Sequence, residues 1–226
     1  MERLRPTIIG IGGFASNVGK TTLMCELLEA FPGSEAIKTT RGHYRSCGKD
    51  PQACCVSHLL SDQPVVRSGR EATYAPGKDT GRYWDAGASN VHWVIATEEQ
   101  VEKGIKEALT RVSCGNVFIE GNSFSEFVEV DLMVMVAQVD GAKIKKSARQ
   151  VLSKAALIYL TGERSPESRE EFKTELFSHN SDAHSRMLPI YSSQDFPQLV
   201  AQVRQAGERM GLTNHNRAAL GAAIRP

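Results

Sequence analysis

Charge imbalance, long apolar runs and a cysteine framework are all missing from this chain. Its 27 Lys and Arg nearly cancel its 26 Asp and Glu, leaving a formal net charge of +1 over 226 residues. Nucleic-acid and membrane-surface proteins ordinarily carry a clear basic excess, so neither partner is expected. No uncharged apolar run reaches the ~18 residues that a membrane helix needs. Five cysteines are too few for a disulfide-built fold. The opening MERLRPTIIGIGGF pairs arginines with an apolar stretch, but glycines break it and GKTT follows, which no secretory signal would keep. A cytoplasmic location with reduced thiols is the resulting expectation.

What is present is an alternation of strand-like and helix-like segments. Residues 6–13, 34–40, 116–121, 130–139 and 156–162 read as strands, and 187–193 as a weaker one. Helical apolar stripes run through 20–31 (Leu23, Leu27, Leu28, Phe31), 98–112 (Val101, Ile105, Ala108, Leu109, Val112) and 195–210. Pro32-Gly33 stops the first. This order predicts βαβ units, hence a three-layer α/β fold with a mainly parallel sheet. Residues 40–90 break the rhythm and read as an insertion between strand 2 and the main sheet, with room for a small hairpin. The expectation is one domain over 1–226, with a loosely attached tail at 211–226.

The strongest signal is G13-F-A-S-N-V-G19-K20-T21-T22, after a strand and before a helix. That context makes a phosphate-binding loop. Gly13, Ser16, Asn17, Val18 and Gly19 would turn backbone N–H groups toward phosphates, aided by the positive end of the following helix. Lys20 would reach the β- and γ-phosphates, Thr21 would bind Mg²⁺ and Thr22 the α-phosphate. Five residues separate Gly13 from Gly19, where the common loop has four, and Phe14 replaces a usual glycine. The longer loop resembles that of dethiobiotin synthetase and the cobyrinate amidases, a branch of the P-loop NTPases.

Three further residues join the candidate catalytic set with Lys20. Glu120 ends NVFIE before Gly121, where a carboxylate can hold Mg²⁺ with Thr21. Lys38 closes the second strand at the edge where ligands sit in open α/β sheets. Asp79, in G77-K-D-T80, suits a helix cap that also faces the metal. Glu120 and Asp79 are expected to repel one another until a metal arrives.

In order, I-K38-T, His43, G77-K78-D79-T80, A86-G87-A88 and I119-E120-G121 resemble molybdopterin-guanine dinucleotide biosynthesis protein B. The resemblance spans roughly 7–160. It departs at Thr39, where that family has histidine, and in the longer loop. It implies a P-loop NTPase fold, GTP as ligand and a cofactor-biosynthesis protein as partner. The residues themselves leave ATP and GTP open, because no N-K-x-D follows ALIYLTG; Thr161-Gly162-Glu163 stands there, and Ser192-Ser193 at the last base-contacting loop. A carboxylate-activating synthetase and a nucleotide-gated interaction protein are the alternative functions, and a homodimer is left open.

His43, Cys47, Cys54, Cys55 and His58 crowd the insertion, a soft-ligand set able to take zinc or an iron–sulfur cluster, though C-x2-C is absent. Cys25 and Cys114 read as small core residues. Lys143, Lys145, Lys146 and Arg149 read as a solvated face, and Trp84 and Trp93 as packing for the insertion.

Overall fold

The computed structural model describes residues 5–42, 57–113, 115–140, 144–162, 165–179 and 183–223. The strands are β1 (Thr7–Gly13), β2 (Glu35–Arg41), β3 (Val65–Ser68), β4 (Asn90–Ala96), β5 (Asn116–Glu120), β6 (Leu132–Gln138), β7 (Leu157–Thr161) and β8 (Ile190–Tyr191). The helices are α1 (Lys20–Ala30), α2 (Arg70–Thr73), α3 (Asp79–Asp85), α4 (Val101–Arg111), α5 (Lys146–Leu152), α6 (Pro166–His179), α7 (Ala183–Met187) and α8 (Phe196–Ala223). All eight strands form one sheet, in the order β3-β4-β2-β5-β1-β6-β7-β8. Every pairing is parallel except β3 with β4. This is a three-layer α/β fold with a mainly parallel sheet, as expected.

Strand alternation divides the core in two. Ile9, Ile11, Val134, Val136 and Phe118 pack under Leu23, Met24 and Leu27 of α1, Tyr83 of α3 and Leu199 and Val203 of α8. Ile8, Ile37, Ile119, Met133 and Met135 pack under Ile105 and Ala108 of α4, Val151 and Leu152 of α5, and Phe172 and Leu176 of α6. Strands buried on both faces carry the near-continuous apolar runs seen in β1 and β6. Consecutive residues of one strand thus serve opposite helical layers.

The described part of the 40–90 insertion is tied into this frame. β3 pairs antiparallel with β4, Val65 opposite Ile95 and Ser68 opposite His92, so it is an edge strand of the main sheet and not half of a separate hairpin. The α3 helix packs beside α1. The last helix begins at Phe196 and its backbone continues to Ala223, through much of the tail expected to be loosely attached. Two helices, α6 and α7, fall where no element was expected.

Candidate functional site

β1 and β5 are neighbours, Ile11 opposite Glu120, and the chain leaves them for opposite halves of the sheet. Ligands bind at such a switch point, outside the carboxyl ends of the strands. The phosphate loop lies there, and the extra residue is explained by Phe14. Its side chain is buried, 6.1 Å between ring centroids from Phe172. Its N–H donates to Val136 O (2.9 Å) and its carbonyl accepts from Lys145 N (2.9 Å). Asn122 holds Gly13 from the other side: its Oδ1 accepts from Gly13 N (2.8 Å) and its Nδ2 donates to Gly13 O (3.0 Å). Asn17 and Gly19 take positive φ, 59° and 93°, reversing the chain into α1. At Gly19 a Cβ would also lie 2.9 Å from the Thr161 methyl. The Thr161 hydroxyl donates to Val18 O (2.9 Å), tying the loop to the end of β7.

The sheet register places the charged set. Lys38 of β2 stands opposite Glu120 of β5. Lys38 Nζ lies 2.5 Å from Glu120 Oε1 and 2.7 Å from Asp79 Oδ2. The Thr21 hydroxyl is 3.0 Å from Glu120 Oε2 and 3.1 Å from Asp79 Oδ1. Its single proton serves one carboxylate at a time. Tyr83, fully buried, donates its hydroxyl to Glu120 Oε2, and Thr39 donates to the Glu120 carbonyl at 2.8 Å. Lys20 Nζ donates to Ala15 O (3.1 Å). Arg82 donates to the Thr22 hydroxyl (3.3 Å).

Two expectations change here. Glu120 and Asp79 do not face each other as bare charges, because Lys38 sits between them. Asp79 opens α3, but the N-cap is Lys78 and the helix start has no side-chain cap bond, so its carboxylate goes to the site. Burial alone would lower the Lys38 pKa, yet Glu120 and Asp79 outweigh it and hold the ammonium above its ordinary range. Burial would raise Asp79; Lys38 and the Thr21 hydroxyl hold it below. Lys20 is pushed down, first by burial and then by Lys38 and Lys145, against the pull of Glu120. Tyr83 is driven well up by burial and by Glu120, so it remains a donor.

Two clefts meet at Ser16 and Lys20. One, about 420 Å³, is lined by Thr21, Thr22, Lys38, Asp79, Arg82 and Glu120. The other, about 580 Å³, lies between Thr39, Arg41, Asn122, Ser123, Lys145 and Ser147. Lys145, Lys146 and Arg149 are exposed, as expected of a solvated face, and Lys145 also donates to the Ser16 hydroxyl (2.6 Å). Sequence reasoning missed Tyr83, Asn122 and Arg41. Only the nearness of Asn122 to the E120-G121 step offered a signal.

Of the soft-ligand set the structure describes His58 alone. His43, Cys47, Cys54 and Cys55 lie outside the described residues, and His58 is exposed in a short turn. Among the described residues no three His, Cys, Asp or Glu side chains gather around one point. Cys114 also lies outside the described residues; Cys25 is partly buried, its thiol pushed up to about 11 by burial. Trp84 donates to the Thr73 hydroxyl within the insertion, and Trp93 of β4 donates to the Thr40 hydroxyl of β2, both at 2.9 Å. No described helix is long and apolar enough to cross a membrane.

No family model matches the chain, and no curated protein does. Among solved structures it is similar to LpxK from Aquifex aeolicus in complex with ATP, at 17% identity over 74% of this chain, with a TM-score of 0.45. The chain spans about half, 51%, of that protein. It is also similar to a de novo designed P-loop NTPase fold (11% identity, 91% of this chain and 94% of that one, TM-score 0.31). A third is a protein assigned to plasmid partition from Borrelia burgdorferi B31, bound to AMPPNP (11%, 93% and 99%, TM-score 0.37). These are likenesses of fold alone, at scores too low to inform the site.

Proposed function

We propose that this chain is a Mg²⁺-dependent nucleoside-triphosphate-binding protein and a slow NTPase, related to molybdopterin-guanine dinucleotide biosynthesis protein B. The observation that carries this reading is the meeting of the Thr21 hydroxyl with the carboxylates of Asp79 and Glu120 beside Lys20. Those four residues come from three sequence motifs far apart in the chain. A hydroxyl and two carboxylates are hard oxygen donors, a set that fits Mg²⁺. Thr21 and Glu120 would hold the metal, with Asp79 alongside. When bound, Mg²⁺ would supply charge stabilisation to the phosphoryl oxygens.

The chain's own residues do the rest by position and charge. The loop from Ala15 to Gly19 presents N–H groups, those of Gly13 and Phe14 being taken by Asn122 and Val136, and Lys20 would exchange its bond to Ala15 for phosphate oxygens. Thr22 is the third residue of α1, within reach of Arg82. Lys38 would leave one or both carboxylates as the metal arrives, and its ammonium would then be available to a phosphate oxygen in the metal-side cleft. Tyr83 and Thr39 keep Glu120 aimed throughout. The base is either adenine or guanine. Where a base-contacting loop would fall, Ser192 is fastened by Asp195 and Arg169, the Arg169 donor 2.8 Å from the Ser192 hydroxyl.

Lys20→Ala tests this reading. The variant is expected to lose most Mg²⁺-dependent ATP or GTP binding and turnover while its circular-dichroism spectrum stays unchanged, because its amine serves the ligand and not the core. Calorimetric titrations with both nucleotides check it, and full nucleotide affinity in the variant would sink the assignment.

A further inference from the structure

We propose that the larger cleft, on the far side of the phosphate loop, binds the anionic group of a second small-molecule substrate, a carboxylate or a phosphate. This rests on the nucleotide-binding reading above. The two clefts differ in their balance of charge, the metal-side one pairing its cations with acids and the larger one not. The metal-side cleft carries Asp79 and Glu120 together with its cations. The described residues lining the larger cleft include Lys20, Arg41 and Lys145 and no carboxylate. Three cations in one concave space raise the local concentration of anions.

Strand geometry explains the division. Along β2, Ile37 packs with the α4 layer and Ala36 with the α1 layer, so alternate residues go to opposite sides. Lys38 falls on the α1 side and joins Glu120; Thr39 and Arg41 fall on the other side and line the larger cleft. The same strand end thus feeds both sites.

The cleft is also furnished for an oxyanion. Thr39, Ser123 and Ser147 add hydroxyls to its wall. Among the described residues Arg41 pairs with Glu98, at 3.1 Å, and Glu98 is 79% exposed. Such an exposed pair is weak, so the guanidinium can turn to a ligand. Lys145 bonds Ser16 of the phosphate loop, which sets an occupant beside the position of a terminal phosphate. At about 580 Å³ the space exceeds a single phosphate group and suits a small organic molecule. It continues past Ser123 and Lys145 into a groove bearing Phe127 and Gln150 together with the charged Glu98, Glu126 and Lys146, where the rest of such a molecule would lie.

The test is a titration of inorganic phosphate, and separately of acetate, into protein saturated with Mg²⁺ and AMPPNP. One anion per chain is expected to bind with the nucleotide in place, and the tighter of the two names the class. Arg41→Gln should weaken it at least ~10-fold, the loss of one charge-assisted contact. Ser147→Asp, which puts an acid in the wall, should do the same by a route that spares Arg41. Displacement of the anion as nucleotide saturates would overturn the proposal, since the cleft would then be only the terminal phosphate's own position. Unaltered anion affinity in both variants, or binding by neither anion, would also overturn it. Should the wild type bind no nucleotide, the function proposed above fails on its own. The phosphate titration of nucleotide-free protein then decides the cleft, with insensitivity to Arg41→Gln counting against it.

Discussion

Lys38 divides one positive charge between Glu120 and Asp79, and the behaviour of the site follows from that arrangement. Glu120 is 2% exposed, so its charge depends on partners and not on water. Glu120→Gln keeps the shape and removes the charge. It is expected to weaken Mg²⁺-dependent nucleotide binding at least ~10-fold, about 1.4 kcal/mol. It should also lower stability without ligand by about 2 kcal/mol, because a charge-assisted bond to Lys38 is lost. Were the two acids simply repelling, the melting temperature would hold or rise, so thermal melts distinguish the cases. The pH dependence follows from Asp79. Its folded pKa is depressed, so its contribution is present above the ordinary carboxylate value of 3.8 and is lost as pH falls through the lower folded value. Lys38, raised, contributes fully below its ordinary 10.5 and loses that contribution as pH climbs through the higher folded value. Urea midpoints measured from pH 6 down to pH 3 should fall less steeply in Asp79→Asn than in the wild type. Parallel slopes would mean that the Lys38–Asp79 contact adds nothing.

The elements aim these residues through backbone joints. The turn after β5 is the tightest. Gly121 has φ 149°, and a Cβ there would come within 1.8 Å of the Thr39 hydroxyl that holds the Glu120 carbonyl. Gly121→Ala is therefore expected to cost about 1–3 kcal/mol and to weaken Mg²⁺-dependent binding as Thr39 is pushed aside. Paired urea melts and nucleotide titrations check both effects, and a variant with wild-type values would show the turn to be slack. At the opposite end of the same strands, β2 and β4 are fastened by a buried pair. Glu35 Oε2 lies 2.7 Å from His92 Nε2, Ser68 bonds His92 Nδ1 at 2.8 Å, and Ser113 donates to Glu35 Oε1 from both its N–H (2.8 Å) and its hydroxyl (2.7 Å). That network lies at the amino edge of β2, away from the clefts. It brings together β2, β3 and β4 and so helps dock the insertion as an edge strand.

In the whole molecule the chain crosses from β1 to β2 over one half of the sheet and from β5 to β6 back over the other, so the loops after β1 and β5 meet at the reversal. Both clefts open there. A ligand that bridges the phosphate loop, α3 and the end of β5 ties the insertion to the main sheet and adds to global stability by mass action. At nucleotide concentrations ~100-fold above Kd the gain is about 2.7 kcal/mol, a rise of roughly 5–10 °C in Tm for a chain of this size. The rise is expected with Mg²⁺ and one of ATP or GTP, to shrink without Mg²⁺, and to vanish in Lys20→Ala. Thermal melts with the two nucleotides side by side identify the base. No shift with either would remove the ligand from the proposal.

Local regularities carried most of the fold. The strand–loop–helix at 7–30 was legible because glycines, a lysine and hydroxyls at fixed spacing have few other uses, and because strands covered on both faces must be apolar almost throughout. Asp79 and Glu120 were legible as candidates because one starts a helix and the other ends a strand; Lys38 was read as closing its strand, but β2 runs on to Arg41 and Lys38 stands at its middle. The α6 helix was not, because only Phe172 and Leu176 of its apolar residues reach full burial and charged residues fill much of the rest. Neither pattern nor spacing could show that one lysine neutralises both acids, that Phe14 lengthens the loop by sinking into the core, or that Arg41 and Lys145 share a wall. Those facts depend on sheet register and on which layer each strand residue faces, and register is set by pairing between segments up to about a hundred residues apart. The sequence by itself determined the fold class and the chemical types at the site; the tertiary structure alone decided which charges oppose which, because that is a matter of distance in space.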